Sequence, residues 1–233
     1  MSIKITIDGK EIETQAGEAL INVAADNGIF IPRLCYMRGK PCLGTCRVCS
    51  VKVNGWMAAS CATPVYDGMN VEVDDPEVKD MQKALVENLF SEGTHNCPSC
   101  EKSGRCDLQA IAYETDMMVS RFPYRFTERK RDNAAELIWL ERDRCIFCQL
   151  CVHYIRDEKT GQKIFSISGR GPSSQIEIDK TLADKMTKEQ AREASDICPV
   201  GCIIDKERGF DHAIGVRKYE ISSIRERILK GEQ

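Results

Sequence analysis

The N-terminal part of the chain alternates apolar and polar positions in short runs, which is typical of strands. Isoleucines occupy positions 3, 5 and 7, and the Asp8-Gly9 turn leads to a second strand through Ile12. Residues 18–27 place apolar side chains on one helical face, and Gly28 is a natural helix end. With further strands predicted at 48–53 and 71–73, the pattern indicates a small sheet with one helix packed on it.

A longer helix is predicted directly after this sheet. Asp75 can cap it and Pro76 suits the first helical position. The expected buried stripe consists of Val78, Met81, Leu85 and Leu89, and the helix should end before Gly93.

The second half of the chain has weaker but readable patterns. Thr187 and Gln190 form a capping-box pattern that predicts the start of a helix. From 218 to 233 the chain is predicted to form one amphipathic helix, with Ile221, Ile224 and Ile228 on the same face. Further expectations are a helix at 107–114, an irregular connector at 117–135, and a strand pair at 164–167 and 176–178.

The cysteine content of the chain is high, with 13 cysteines among 233 residues. The N-terminus has no charged-then-apolar signal segment, and no apolar run approaches the ~18 residues of a membrane span. In a reducing compartment, closely spaced cysteines indicate metal or redox sites. The sequence therefore predicts a cytoplasmic, metal-bearing protein without a membrane span.

The first cysteine group supplies four thiolates, the number that a 2Fe–2S cluster needs. These are Cys35, Cys46, Cys49 and Cys61, with Cys42 left over. Gly44 precedes the close pair in a tight loop, where backbone N–H groups can approach the sulfurs. A zinc ion on this loop is the alternative.

The last group matches a bacterial ferredoxin pattern for a 4Fe–4S cluster. Its expected ligands are Cys145, Cys148, Cys151 and, far along the chain, Cys198, which precedes Pro199. Ile155 stands where a two-cluster ferredoxin has its next cysteine, so one cluster is expected here. Cys202 competes with Cys198 for the fourth position, and the Cys-Pro pair favours Cys198.

The middle group supplies only three thiolates, from Cys97, Cys100 and Cys106. A cubane cluster needs a fourth ligand, and His95 is the nearest candidate, since imidazole can bind iron. A zinc site with three cysteines and one histidine is the alternative. The other histidines, His153 and His212, have no such neighbours and are interpreted as structural.

No motif of a complete active site accompanies these groups. The chain has no dinucleotide fingerprint, P-loop, nucleophile elbow or nickel-type cysteine pairs. A net charge of −3 argues against nucleic acid as a partner. One stretch alternates basic and aromatic residues, and we interpret it as a connector or partner contact; it comprises Arg121, Phe122, Tyr124, Arg125, Phe126, Arg129, Lys130 and Arg131.

These motifs resemble the iron–sulfur subunit of the diaphorase half of soluble NAD-reducing nickel–iron hydrogenases. That subunit is similar to the N-terminal part of the large iron–sulfur subunit of respiratory complex I. The resemblance covers nearly the whole chain and is carried by the stretches 41–49, 96–109, 143–151 and 197–201. The broader family places the middle-site histidine further upstream, at the position of Gly93.

The resemblance implies the function, the clusters and the partners. It implies a 2Fe–2S cluster and two 4Fe–4S clusters on the twelve residues named above, with no catalytic residue on this chain. FMN, NAD and the nickel–iron site would belong to partners, namely a flavin/NAD-binding diaphorase subunit and the hydrogenase small and large subunits. The chain would relay electrons between them. The alternative is the same relay in a complex I-like NADH dehydrogenase or an NAD-dependent formate dehydrogenase.

The expected fold class is α+β, in three domains. Residues 1–75 would form a β-grasp 2Fe–2S ferredoxin domain. Residues 76–135 would form a small helical segment, which carries the 4Fe–4S site of one histidine and three cysteines, and a connector. Residues 136–233 would form a bacterial-ferredoxin-like 4Fe–4S domain with a C-terminal docking helix.

Overall fold

The structure is a computed structural model that describes residues 2–125 and 127–232. Phe126, one aromatic of the basic stretch, lies outside the described residues. The strands are β1 (Ser2–Ile7), β2 (Lys10–Gln15), β3 (Ser50–Val53), β4 (Trp56–Ala59), β5 (Asn70–Glu72), β6 (Ile138–Leu140), β7 (Phe165–Ser168), β8 (Gln175–Ile178) and β9 (Ile203–Asp205). The α-helices are α1 (Leu20–Asp26), α2 (Pro76–Glu92), α3 (Asp107–Glu114), α4 (Leu150–Tyr154), α5 (Lys180–Ala183), α6 (Lys188–Ile197), α7 (Lys218–Ile221) and α8 (Ile224–Leu229).

The chain divides into two compact units. The first contains the residues up to Asn88, Ala110–Phe122 and the residues from Ser222 onward. Its mixed sheet has the strand order β2-β1-β5-β3-β4, with β1 parallel to β5 and the other pairs antiparallel. Isoleucines from β1 and valines from β3 and β5 form the core with α1. This sheet with one packed helix confirms the α+β expectation for the N-terminal part.

Helix α2 begins where the sequence predicts, because Asp75 caps it. The Asp75 carboxylate accepts hydrogen bonds from the backbone N–H groups of Glu77 and Val78, at 2.9 and 3.1 Å. Of the predicted stripe, Val78 is buried, whereas Leu85 and Leu89 are half-buried. Met81 is exposed, and the neighbouring Gln82 is buried in its place. The reason is a hydrogen bond of 2.9 Å from the Gln82 side-chain amide to the Ser50 carbonyl, which lets a polar residue lie inside.

The second unit comprises Leu89–Gln109 and Pro123–Ile221. It contains the two-stranded sheet β6–β9 and the hairpin β7–β8, which is the predicted strand pair; in it Ile167 lies opposite Ile176. The capping box of α6 is confirmed: Thr187 and Gln190 each bond the other's backbone N–H, at 3.2 Å. The β6–β9 sheet was not predicted.

The C-terminal prediction of one amphipathic helix is wrong. The chain forms two short helices, α7 and α8, interrupted at Ser222 and Ser223. The Ser223 hydroxyl accepts from the Glu226 backbone and the Glu226 carboxylate accepts from the Ser223 backbone, both at 3.2 Å. This capping box starts a new helix. Ile221 is therefore 72% exposed, whereas Ile224 and Ile228 are buried.

Three arginines of the basic stretch are engaged by groups of the chain itself. Arg121 bonds the buried Glu87 carboxylate at 2.6 Å, and Arg131 bonds the Glu141 carboxylate at 2.8 Å. The Arg129 guanidinium lies 5.0 Å from the centre of the Phe147 ring. Between residues 2 and 232, leaving out 126, no helix is long and apolar enough to cross a bilayer.

Candidate iron–sulfur sites

The first candidate site lies in the N-terminal unit, between α1 and β3 and around the turn after β4. Its four predicted ligands, Cys35, Cys46, Cys49 and Cys61, are all buried free thiols. The backbone N–H of Cys46 lies 3.4 Å from the Cys35 sulfur. The tight loop therefore brings a backbone N–H group close to a sulfur, as the sequence predicts.

Hydrogen bonding favours the thiolate form of two of these cysteines. Bonds from the Cys46 side chain and from the Thr45 and Cys46 backbone lower the pKa of Cys35 to about 5. A bond from Cys61 likewise lowers the pKa of Cys49 to about 7. The same bonds raise the pKa of the donors Cys46 and Cys61, so each pair favours one thiolate, which is the form that binds iron. The leftover Cys42 is exposed, yet its sulfur lies 3.3 Å from that of Cys61.

The second candidate site lies where α2 ends and a short 3-10 turn (Cys97–Ser99) begins. His95 is half-buried, but its Nε2 atom is buried and has no hydrogen-bond partner among the described residues. Burial lowers the pKa of His95 to about 4, and the ring bonds the Leu89 backbone. A neutral histidine held by one nitrogen, with the other free, is in the form that binds metals.

Two glycines, Gly93 and Gly201, lie against predicted ligands, where they are needed for space and not for an unusual backbone conformation. Fourteen of the sixteen glycines have positive φ, which favours glycine, but Gly93 and Gly201 do not. A Cβ at Gly93 would collide with the His95 ring, whose Cδ2 would lie 2.8 Å away. A Cβ at Gly201 would lie 2.6 Å from the Cys100 sulfur. Both glycines therefore leave space for a predicted ligand.

The remaining predicted ligands of this site lie on a loop against the turn after α6. Cys100 and Cys106 are buried, and Cys97 is half-buried. The Cys106 sulfur lies 3.5 Å from the Pro199 carbonyl, which also accepts from the backbone of Asp107 at 2.9 Å. The structure thus places Cys106 beside the segment that carries Cys198.

The third candidate site is formed by the loop before α4 together with the turn after α6. Its loop has an unusual backbone, because Phe147 and Gln149 have φ of 52° and 63°. Arg47, in the first cysteine loop, has φ of 60°. The other described non-glycine residues with positive φ are Asp or Asn, which tolerate it well. Strained backbone at bulky residues is typical of binding sites.

Five thiols gather at this third site instead of the four that a cluster requires. Cys148, Cys151, Cys198 and Cys202 are buried and Cys145 is half-buried. A hydrogen bond from Cys202 lowers the pKa of Cys198 to about 6, and Cys202 also bonds Cys145. The structure therefore brings both candidates for the fourth ligand to the site.

The donor sets fit iron–sulfur clusters by their chemistry. Thiolates with one imidazole are ligands that such clusters use, and the unpartnered His95 nitrogen is a buried polar atom that requires a partner. Among residues 2–125 and 127–232, no three His, Cys, Asp or Glu side chains are placed to hold a single metal ion. The fit therefore rests on the donor set, on His95 and on the space beside the two glycines.

Sequence reasoning missed four residues that shape these sites. Gly201 carries a signal that could have been used, since it stands in no turn pattern, whereas Gly93 is accounted for as the end of the predicted helix. Lys102 and Arg144 carry no such signal, because basic residues are mostly exposed. Lys102 is nevertheless buried, and the Arg144 guanidinium bonds Glu101 at 3.0 Å and the Gly201 carbonyl at 3.3 Å.

Three family models match successive parts of the chain. Residues 1–76 match a 2Fe-2S iron-sulfur cluster binding domain. Residues 82–121 match the NADH-ubiquinone oxidoreductase-G iron-sulfur binding region, and residues 135–204 match the ferredoxin-like domain of NADH-quinone oxidoreductase subunit 3. These matches confirm the predicted fold class and the presence of both 2Fe–2S and 4Fe–4S binding regions.

Relatives of the complex I type match most of this chain but are much longer. The 78 kDa subunit of mitochondrial NADH-ubiquinone oxidoreductase from Candida albicans is 32% identical over 89% of this chain and 29% of its own length. An NADH-quinone oxidoreductase subunit from Escherichia coli is 32% identical over 87% of this chain and 23% of its own. The chain thus spans about a quarter of these subunits.

Two relatives match from end to end. A chain in the crystal structure of an NAD+-reducing [NiFe]-hydrogenase in the H2-reduced state is 34% identical, with a TM-score of 0.88 and coverage of 99% of both chains. The gamma subunit of the NAD-reducing hydrogenase HoxS from Cupriavidus necator is 66% identical over 100% of this chain and 99% of its own length. The resemblance seen in the cysteine motifs is therefore confirmed, and the chain belongs to the family of gamma subunits of NAD-reducing hydrogenases.

Proposed function

We propose that this chain is the electron-relay subunit of an NAD-reducing hydrogenase. Three groups of sulfur and imidazole donors support this function, together with the end-to-end match to a hydrogenase gamma subunit. The observation that carries it is the buried, unpartnered Nε2 of His95, which completes the middle group to four donors.

The proposed ligand sets are those expected from the sequence. Cys35, Cys46, Cys49 and Cys61 would hold a 2Fe–2S cluster. Two 4Fe–4S clusters would be held by His95, Cys97, Cys100 and Cys106, and by Cys145, Cys148, Cys151 and Cys198. The proposed domains remain residues 1–75, 76–135 and 136–233.

The protein's own groups prepare these sites for metal. Backbone N–H groups donate to the sulfurs of Cys35 and Cys145, each at 3.4 Å, and so stabilise negative charge there. Burial keeps His95 neutral. Most of these thiols are buried, which limits the access of water to them. Clusters bound there take up and release single electrons.

The partners follow from the chemistry that this chain does not carry. A flavin/NAD-binding diaphorase subunit would hold FMN and NAD, and hydrogenase small and large subunits would hold the nickel–iron site. We place the assembly in the cytoplasm, because thiols at close spacing require a reducing compartment to remain ligands. Neither nucleic acid nor a membrane is proposed as a partner.

A second candidate is the same relay in a complex I-like NADH dehydrogenase or an NAD-dependent formate dehydrogenase. The 31–32% identity of this chain to complex I subunits supports this second candidate. The catalytic chain that copurifies distinguishes the two: a nickel–iron subunit supports the hydrogenase, and a quinone- or formate-linked subunit supports the second candidate.

Anaerobic preparations should show both the clusters and the activity. We expect the full-length chain to contain about ten iron atoms, with matching acid-labile sulfide, because one 2Fe–2S and two 4Fe–4S clusters hold that number. The assembly with its native partners should reduce NAD with hydrogen. Zinc in place of iron, or about six iron atoms, would contradict the three clusters. Oxidation of formate or NADH without any hydrogen activity would contradict the hydrogenase role.

A further inference from the structure

Lys102 is a buried cation without a carboxylate partner, between the two candidate 4Fe–4S sites of the second unit. The residue is 3% exposed. Its ammonium donates to the carbonyl of Ser195 at 2.6 Å and approaches that of Asp196 at 3.5 Å. Both carbonyls belong to the last turn of α6, the helix that leads directly into Cys198. Lys102 thus caps the C-terminal end of this helix, where the backbone carbonyls carry partial negative charge.

The nearest carboxylates are already paired with other groups. Asp196 forms ion pairs with Arg208 and Arg105. Asp107 accepts a hydrogen bond from Tyr219 and lies 3.9 Å from Lys218. No salt bridge within the described chain therefore compensates the ammonium of Lys102. An unpaired buried charge is costly, so another negative group must account for its presence.

The remaining negative groups around Lys102 are thiolates. Cys198 directly follows the turn of α6 whose Ser195 and Asp196 carbonyls lie against the Lys102 ammonium, and the Cys106 sulfur lies 3.5 Å from the Pro199 carbonyl. Gly201 adjoins Lys102 and Cys100, because a Cβ there would lie 3.3 Å from the Lys102 Cβ and 2.6 Å from the Cys100 sulfur.

We propose that Lys102 raises the reduction potential of the 4Fe–4S cluster held by Cys145, Cys148, Cys151 and Cys198. Reduction adds one electron to a site that four thiolates already make negative. A buried cation nearby stabilises the reduced form more than the oxidised form, since little solvent screens the interaction. The inference rests on the proposed function, because it presupposes that this cluster is bound.

Three variants of the full-length chain, purified anaerobically with its partners, test this role. Lys102→Met removes the charge and keeps the length of the side chain, whereas Lys102→Arg keeps the charge. Lys188→Met is the matched control: it removes a cation from α6 at a side chain that is 68% exposed. Redox titration followed by EPR measures the potential, and iron content is determined in parallel. The signal that disappears in a Cys198→Ala variant identifies the cluster.

We expect Lys102→Met to lower the ratio of reduced to oxidised cluster at least tenfold at a fixed ambient potential. For a one-electron couple this is a shift of about 59 mV to more negative potential. Lys102→Arg should recover most of the shift, and Lys188→Met should show none. An unchanged potential in Lys102→Met overturns the inference. So does loss of the cluster in both Lys102 variants, which would make the lysine a purely structural residue. If the unsubstituted protein lacks the cluster, the proposed function itself fails.

Discussion

Replacing Cys198 with alanine is expected to remove one 4Fe–4S cluster, whereas replacing Cys202 with alanine leaves it bound. Both thiols are buried at the same site, and Cys202 bonds Cys198. The ferredoxin pattern assigns the ligand role to the cysteine before proline. Cys198→Ala should lose about four iron atoms per chain and reduce hydrogen-dependent NAD reduction by at least on the order of a hundredfold, since even outer-shell substitutions at metal sites cost 10–100-fold.

These two variants are directly comparable, because each replaces a buried cysteine with alanine. Iron analysis, EPR spectra and activity are measured on anaerobically purified assemblies whose subunit composition is unchanged. If Cys202→Ala loses the cluster and Cys198→Ala retains it, the ligand assignment is reversed. If both retain it, four of the five thiols suffice in either combination, and the assignment of Cys198 as a required ligand is wrong.

Gly93→Ala is expected to displace His95 and to destabilise the middle 4Fe–4S cluster. The new Cβ would overlap the imidazole ring and would lie 2.9 Å from the Asp143 carbonyl. Overpacking of this kind costs about 1–3 kcal/mol, and the backbone of Asp143 cannot yield cheaply because its carbonyl accepts from Thr94 at 3.0 Å. Loss of about four iron atoms and of one EPR signal would be the measured result.

Gly161→Ala provides the control for the effect of the substitution itself. Gly161 has a positive φ of 68° and open space around its Cα, so alanine there strains the backbone by about 1 kcal/mol without touching a candidate site. It should keep the full iron content. A Gly93→Ala protein that also keeps the middle cluster, with nitrogen coupling in its EPR spectrum, would show that His95 binds iron without needing the space beside Gly93.

The sequence predicts those features that local chemistry determines. The cap of α2 at Asp75 and the capping box of α6 at Thr187 are satisfied by nearby backbone groups, so each can be read within a few residues. The three-residue strands β6 and β9 are far apart in sequence and too short for a periodic pattern. Met81 and Gln82 exchange their expected places because the Ser50 carbonyl, 32 residues away, accepts from Gln82.

At the candidate sites, too, features set by local sequence are predictable and features set by distant contacts are not. Cysteine spacing predicts the three groups, since each motif places several ligands on one loop. The Cys-Pro pair favours Cys198 over Cys202, but spacing alone does not show that both thiols lie at one site, because their relative positions depend on how the chain turns into β9. Lys102 is not predicted as buried either, since only the carbonyls at the end of α6, more than ninety residues later, account for its position.

Helix α8 has a consequence for biosynthesis. Ile224 and Ile228 are buried within the N-terminal unit, and Arg225 bonds Glu114 there at 2.7 Å. A ribosome that has completed residue 88 must still translate the intervening chain before α8 exists, which takes about 7–30 s at bacterial elongation rates. During that time the apolar surface that α8 covers faces solvent in the nascent polypeptide. The unit that is synthesised first is therefore completed last, and it offers chaperones a binding surface until then.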